Sequence, residues 1–348
     1  MAAFVQVEDV SKDFVPRLSV GERIAARLGG AVETRRVRAV DRVTLGIGKG
    51  EVLGLVGESG CGKSTLGRII AGILPPTAGT ARIDNAPVMS AGRDPYKMTT
   101  RVQMIFQDPF ASLDPRMRIG DTVGEGPVAH DLVAKADVPA YVRDWLRTVG
   151  LEPDFADRYP HQFSGGQRQR IAIARALAMK PDVLVCDEPV ASLDVSIQAQ
   201  IINLFLKLRR EFTLTMLFIS HDLGVVRHLS DRVAIMYLGR IVELGDAKRI
   251  YNTPLHPYTC ALLDSVPKLV LEDEAVVTFR PIRGEPPSPL SPPSGCHFHQ
   301  RCPIAQARCR SEVPALKPLG SRRAAACHLV TPNSFHSGAP PGPQRVAR

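Results

Sequence analysis

The stretch Val52-Leu53-Gly54-Leu55-Val56-Gly57-Glu58-Ser59-Gly60-Cys61-Gly62-Lys63-Ser64 decides how this chain folds. Its first five residues read as a short buried strand. They run straight into a glycine-rich turn that satisfies G-x-x-x-x-G-K-[ST] at every fixed position. A helix expected from Lys63 to about Gly72 completes the strand–turn–helix setting that a phosphate-binding loop needs. Backbone N–H groups in such a turn, and the positive end of the helix after it, favour a bound anion. Lys63 is placed to neutralise β/γ-phosphate oxygens and the Ser64 hydroxyl to ligate Mg²⁺. Gly57, Ser59, Gly60, Cys61, Gly62 and Thr65 complete the expected ATP cradle. A merely structural glycine turn is the competing reading, and the strand in front of it argues against that.

Working outward, Val183-Leu184-Val185-Cys186 and Met216-Leu217-Phe218-Ile219 also read as buried strands. Each ends at polar residues, as parallel strands in open α/β sheets do. Asp187 follows the first and suits Mg²⁺, directly or through water; Glu188 is the natural general base for an attacking water. A helix-capping carboxylate is the plain alternative for the pair. His221 follows the second strand, where a phosphate contact is geometrically reasonable. Phe163-Ser164-Gly165-Gly166-Gln167 lies about 20 residues upstream of Asp187 and opens a helix through Ile171, Ala174 and Leu177. Two glycines at a helix N-terminus let backbone approach a phosphate closely. Residues 4–10 suggest another strand, and residues 108–160 read as mostly helical, with Trp145 and Leu146 on an amphipathic segment.

A phosphate loop, a Ser-Gly-Gly-Gln loop, an Asp-Glu pair and a lone histidine, in that order, resemble the nucleotide-binding subunit of an ABC transporter over roughly residues 4–255. The resemblance implies an α/β fold: a P-loop, ABC-type nucleotide-binding domain over residues 1–255, with a RecA-like core and an antiparallel β subdomain. A helical subdomain at about 108–175 would carry the signature. It also implies roles. Gln107, in Ile105-Phe106-Gln107-Asp108-Pro109, is similar to the Q-loop glutamine that senses Mg²⁺ and contacts the permease. His221 is similar to the switch histidine that holds the γ-phosphate and orients Glu188. Ser192-Leu193-Asp194 is similar to the D-loop that crosses to a partner subunit. Phe14, in Lys12-Asp13-Phe14, is the candidate for stacking on adenine, where the family more often has tyrosine; a core phenylalanine is the alternative. Ser164, Gly165, Gly166 and Gln167 would meet the nucleotide held by the opposite subunit, so hydrolysis is expected to need a dimer with two sandwiched ATPs.

The 348-residue chain, 44% hydrophobic and 23% charged, has the composition of an ordinary globular protein. No run approaches the ~18–20 apolar residues of a membrane-spanning helix. The N-terminus lacks a basic-then-apolar signal layout. The expected location is therefore the cytoplasmic face of the inner or plasma membrane, with other chains supplying the path across it. The net charge of +9 fits nucleic acid, a solvated basic surface or a face toward anionic lipid equally, and charge alone does not decide. Residues 15–38 form a basic insertion with six arginines against Glu22 and Glu33. It reads either as a solvated surface insertion or as a basic amphipathic helix near membrane or permease.

Cys61, Cys186 and Cys260 read as small buried thiols. Cys296, Cys302, Cys309 and Cys327 follow a Pro-rich connector at Pro286–Pro293 and are spaced C-x5-C-x6-C-x17-C, near His297, His299 and His328. A reducing cytoplasm disfavours disulfides, and the usual zinc-ribbon knuckle is absent. Four thiolates can hold Zn²⁺ or an iron–sulfur cluster, or stay free, and spacing does not choose. His256-Pro257-Tyr258-Thr259, Arg283-Gly284-Glu285-Pro286-Pro287 and Gly295-Cys296 through Cys302-Pro303 are similar to the C-terminal extension of oligopeptide/dipeptide importer ATPases. That resemblance implies an extension over 256–332 in which the four cysteines ligate a [4Fe–4S] cluster, before a disordered tail at 333–348.

Within that family, Asp108 through Pro115 and Val195 through Gln200 resemble the peptide/nickel importer branch. The implied activity is ATP hydrolysis driving import of di- or oligopeptides. The implied partners are a second ATPase subunit, two permeases and an external binding protein, with no nucleic acid. The rivals are a nucleic-acid ATPase of the repair or chromosome type, an exporter ATPase, and an importer for nickel or another small solute. Against the first, no long coiled coil or C-x2-C finger is inserted between the phosphate loop and the signature.

Overall fold

The computed structural model describes residues 3–15, 36–92, 94–266, 268–272, 274–278, 282, 284–320 and 322–330. Most of the basic insertion (residues 16–35) and the expected tail (333–348) lie outside the described residues. The strands, in chain order, are β1 (Val5–Phe14), β2 (Val37–Ile47), β3 (Val52–Val56), β4 (Ala78–Ile83), β5 (Ala86–Pro87) and β6 (Val102–Ile105). They continue with β7 (Val183–Asp187), β8 (Thr215–Ile219), β9 (Arg232–Tyr237), β10 (Arg240–Asp246), β11 (Lys268–Glu272), β12 (Glu274–Thr278), β13 (Lys317–Pro318) and β14 (Ala324–Ala325).

Side chains of the central strands alternate between two cores, one on each face of the sheet. Val52 and Val56 of β3 enter one core while Leu53 and Leu55 enter the other. Leu184 and Cys186 of β7, and Met216 and Phe218 of β8, join the first; Val183, Val185, Leu217 and Ile219 join the second. A strand with both faces covered has no use for polar positions, which is why these segments read as uninterrupted apolar runs. The central sheet runs β13-β14-β10-β9-β3-β8-β7-β6. The pairs β9–β3, β3–β8, β8–β7 and β7–β6 are parallel, and β9–β10, β10–β14 and β13–β14 are antiparallel. A second sheet, β2-β1-β4-β5, is antiparallel and packs Val5, Val7, Val43 and Ile47 onto the phosphate-loop side. This is the expected parallel α/β core with an antiparallel β subdomain.

The phosphate-loop helix spans Lys63–Ile70, shorter than expected. The stop is local: Gly72, at φ +69°, adopts the left-handed conformation common just past helix ends. Between β6 and β7 the chain forms the helices Ile119–Ala129 and Val138–Thr148, then the signature helix Gly165–Ala178. Val142, Trp145 and Leu146 are buried from the middle helix, and Trp145 reaches the Phe212 ring at 5.4 Å. Ile171, Ala174 and Leu177 face the core as their three-residue spacing requires.

The C-terminal segment differs from a separate appendage behind a connector. Its strands β13 and β14 extend the central sheet at the edge of β10, with Glu243 opposite Ala325 and Leu244 opposite Ala324. An exposed sheet edge is a template for unwanted pairing, and covering it removes that hazard. A buried ion pair fastens the same segment. Arg323 Nη2 donates to Glu243 Oε1 at 3.1 Å, with both side chains almost fully buried. The Glu243 carboxylate also accepts from the backbone N–H groups of Leu255 and His256.

Candidate active site

Three strand ends deliver the expected catalytic groups to one place. β3 leads into the phosphate loop, β7 ends on Asp187, and β8 ends just before Ser220 and His221. Gly62 precedes the helix with φ +108°, and a Cβ there would stand 2.1 Å from the Ala39 carbonyl oxygen. Only glycine fits that turn. Lys63 is buried, and its ammonium donates to the carbonyls of Gly57 (2.8 Å) and Glu58 (3.0 Å). Two of three donors thus hold the charge inside the loop, where a phosphate would meet it. Ser59 and Gly60 are exposed at the turn's crest and Thr65 is half-buried. Cys61 is buried beneath it, its thiol pushed up chiefly by burial.

The Ser64 hydroxyl donates to Asp187 Oδ1 at 2.8 Å, joining the two residues expected to share Mg²⁺. Burial raises the Asp187 carboxyl above its ordinary value, while the Ser64 hydrogen bond and the charges of Arg68 and Lys63 oppose the rise. A divalent cation at this pair would offset the same desolvation. Glu188 takes φ +46°, a strained conformation for a non-glycine residue, held by its N–H donating to the Ile219 carbonyl at 3.0 Å. Its Oε2 accepts from Gln107 Nε2 at 3.1 Å and lies 3.1 Å from His221 Nδ1. Gln107 is therefore brought to Glu188 rather than to the Ser64–Asp187 pair. Gln107 and His221 are both exposed, so the Glu188 carboxylate opens toward solvent between them.

Ser164 caps the signature helix. Gln167 N–H donates to the Ser164 side chain and Ser164 N–H donates to the Gln167 side chain, a reciprocal capping box. The loop packs against the neighbouring one: a Cβ on Gly166 would meet Ile197 Cγ2 at 2.6 Å, and one on Gly165 would meet Leu193 Cδ2 at 3.5 Å. Asp194, between them in sequence, is exposed, and Val195 is 82% exposed. Among the described residues, no hydrogen bond or ion pair joins Ser164–Gln167 to Lys63, Ser64, Asp187 or Glu188. Phe14 ends β1 with its ring 41% exposed and the Lys12 ammonium 5.5 Å from its centre. That placement is not a core one. A cavity of about 280 Å³ beside Gly60 and Cys61 is lined by Val37, Ala39, Gly239, Pro289 and Pro292 but not by Phe14.

Cys296, Cys302, Cys309 and Cys327 converge on one pocket with His256, His299 and His328. Its volume is about 10 Å³, room for roughly one water molecule. All seven cysteines are free. Burial pushes up the thiols of Cys296, Cys302 and Cys327, Cys302 to about 11, and the neighbouring thiols add to the effect. Among the described residues, no group of three or more His, Cys, Asp or Glu side chains is set to hold a metal ion. The Cys296 N–H donates to the Cys309 carbonyl at 2.9 Å, which joins the two backbones that carry these thiols. Cys260, expected to be buried, is only half-buried.

One set of contacts was not anticipated. Glu58 of the phosphate loop makes a bidentate ion pair with Arg301, and its N–H donates to the Tyr258 hydroxyl at 3.0 Å. The sequence signal was present, since Tyr258 lies in the importer-like His256–Thr259 motif, but nothing local marks Arg301.

A phosphate-loop motif on a parallel sheet, with Ser64 bonded to Asp187 and a carboxylate held by glutamine and histidine, defines a nucleoside triphosphatase of the P-loop class. A family model described as ABC transporter matches residues 40–191, and one described as the C-terminal region of oligopeptide/dipeptide transporters matches residues 242–309. The chain is 46% identical over 333 residues to the oligopeptide transport ATP-binding protein AppF of Bacillus subtilis, covering 94% of this chain and 97% of the relative. It is 50% identical over 294 residues to the di/tripeptide transport ATP-binding protein DppF of Pseudomonas aeruginosa, covering 84% and 90%. Among solved structures, cbiO1 from Clostridium perfringens, part of the ABC transporter complex cbiONQ, superposes with a TM-score of 0.56 at 27% identity, over 73% of this chain and 92% of that one. The chain belongs to the family of ATP-binding subunits of oligopeptide and dipeptide ABC transporters. That membership sets aside the nucleic-acid and exporter readings. No described helix is long and apolar enough to cross a membrane.

Proposed function

We propose that this chain hydrolyses ATP to drive import of di- and oligopeptides through partner permeases, at composite sites shared between two ATPase subunits. The observation that carries the reading is the junction of Ser64–Asp187 with Gln107–Glu188–His221 above the phosphate loop. Gly57, Ser59, Gly60, Cys61, Gly62, Lys63, Ser64 and Thr65 cradle the ATP phosphates, and Phe14, exposed at the end of β1, stacks on adenine. Ser64 and Asp187 hold Mg²⁺, with Gln107 reporting its presence to Glu188. Held there, Mg²⁺ would supply charge neutralisation for the β- and γ-phosphates.

This chain's own groups do the rest. Glu188 takes the proton of the attacking water. His221 keeps that carboxylate aimed and reaches toward the γ-phosphate. Gln107 holds the second side of the carboxylate. Ser164, Gly165, Gly166 and Gln167, with Asp194, close the site of the opposite subunit; the exposure of Ser164 and Asp194 and the self-contained capping box support a role in trans.

In this reading residues 1–255 form the nucleotide-binding domain, with the basic insertion at 15–38 and the helical subdomain at about 108–175, and residues 256–332 the extension. The protein sits on the cytoplasmic face of the membrane through two permeases, fed by an external binding protein. The four late cysteines are the ligands of a [4Fe–4S] cluster, with Zn²⁺ as the alternative. Their thiol chemistry and their convergence on one pocket support this.

Two measurements test the reading. Full-length protein reconstituted with its permeases should show Mg²⁺-dependent ATPase activity and peptide uptake, both lost on chelation; hydrolysis without metal would overturn it. Protein purified without oxygen should show visible absorbance that disappears when any of the four cysteines is replaced. Colourless protein carrying no iron would remove the cluster.

A further inference from the structure

Glu58 is a carboxylate on a loop whose task is to hold polyanions. Left alone, it would repel the phosphates that Lys63 attracts. The structure places a guanidinium against it from 243 residues away: Arg301 Nη1 donates to Glu58 Oε2 at 2.7 Å and Nη2 to Oε1 at 2.9 Å. The Arg301 side chain is only 5% exposed and that of Glu58 23% exposed, so solvent screens the pair weakly. Arg301 does not stand on a flexible arm. Tyr237, Tyr258 and Phe298 form an aromatic cluster with ring centres 4.6–5.3 Å apart, and the guanidinium lies about 6 Å from the Tyr237 and Phe298 rings. Tyr258 of the same cluster accepts the Glu58 N–H at 3.0 Å. The Glu58 carbonyl in turn accepts from Lys63 Nζ at 3.0 Å.

We propose that Arg301 is a positioning residue for ATP binding: it neutralises Glu58 and holds that carboxylate away from the phosphates, so that the C-terminal segment sets the charge and shape of the phosphate loop. The proposal rests on reading residues 57–64 as the ATP cradle. It goes beyond that reading by assigning part of the cradle's affinity to a residue outside the nucleotide motifs. Planar, two-point pairing is the geometry a guanidinium supplies and an ammonium does not. Lysine at this position would therefore restore charge but not register.

The test is ATP affinity of the full-length chain, measured by calorimetry with Mg²⁺ in a Glu188→Gln background that prevents turnover. Arg301→Ala should weaken ATP binding on the order of tenfold, the scale of one partly screened charge near the phosphates. Removing the offending carboxylate as well, in Arg301→Ala/Glu58→Gln, should recover most of that loss. Arg301→Lys should fall between. A purely structural contact predicts the opposite pattern, because Glu58→Gln and Arg301→Ala then break the same link and the double variant is as weak as the single. Rescue by Glu58→Gln supports the proposal; unchanged affinity in Arg301→Ala, or a loss that Glu58→Gln does not relieve, overturns it. The thermal midpoint of each variant shows whether it is folded. If the Glu188→Gln parent itself bound no ATP, or bound it equally after Lys63→Ala, the cradle reading would fail instead.

Discussion

Glu188 Oε2 lies 3.1 Å from His221 Nδ1, and that contact ties the end of β7 to the end of β8 across the mouth of the site. A carboxylate held this way is aimed before substrate arrives. Replacing it by an amide keeps size and hydrogen bonding but removes the proposed base. Glu188→Gln should leave ATP binding intact and lower hydrolysis by roughly 10²–10⁴-fold, the usual range for a general base. Single-turnover hydrolysis beside equilibrium binding checks this, and undiminished turnover would remove Glu188 from the role.

The two signature glycines make different predictions. A methyl group on Gly166 collides with Ile197 Cγ2 at 2.6 Å, whereas one on Gly165 finds ordinary contact at 3.5 Å from Leu193. Gly166→Ala should therefore lower the thermal midpoint. Gly165→Ala should not, yet it should cut ATPase activity if the signature loop closes a partner's nucleotide site, as proposed above. A mixed dimer pairing Gly165→Ala with a wild-type subunit should retain about half the sites, a trans effect that a folding defect would not reproduce.

Arg323 and Glu243 are a buried pair 80 residues apart. Removing one partner leaves an uncompensated charge in the interior. Arg323→Ala should cost about 3–5 kcal/mol of stability. Denaturant unfolding of the full chain measures it, and a loss below about 1 kcal/mol would place the pair among weak surface contacts.

His256 gives the protein an acid-sensitive point. Its Nδ1 accepts the Tyr258 N–H at 3.1 Å and caps the helix Pro257–Asp264. Burial pushes its pKa down to about 4 from an ordinary 6.5. The unfolded chain therefore binds this proton first as pH falls, so the stabilisation is complete above about 6.5 and lost on the way to 4. The loss from this group is about 2 kcal/mol by pH 5. In His256→Asn, which keeps an acceptor for the cap, unfolding free energy should drop less between pH 7.5 and 5 than in the wild type.

Much of the catalytic apparatus could be read from short windows of chain. Gly57–Ser64, Ser164–Gln167 and Asp187–Glu188 are each recognisable within a few consecutive residues, because the groups proposed to meet one phosphate sit together on one loop. The strands before them were equally readable, since burial on both faces demands apolar runs. Phe14 was harder: its neighbourhood borders residues outside the described part of the chain, and its exposure separates it from a core phenylalanine without supplying a ring partner. The late cysteines showed their convergence only in part. Spacing allowed a shared site, but only the fold brings Cys327 and His256 to the pocket of Cys296, Cys302 and Cys309.

The sequence alone determined the class of fold and the family, because these depend on local patterns and contiguous motifs. Tertiary structure decided what the C-terminal segment does. Its strands complete the central sheet at β10, Arg323 closes on Glu243, and Arg301 closes on Glu58. Those contacts span 80 and 243 residues. Nothing in a local window encodes such pairings; they exist because the folded sheet brings distant charges into a low-dielectric interior, where each must find an opposite charge.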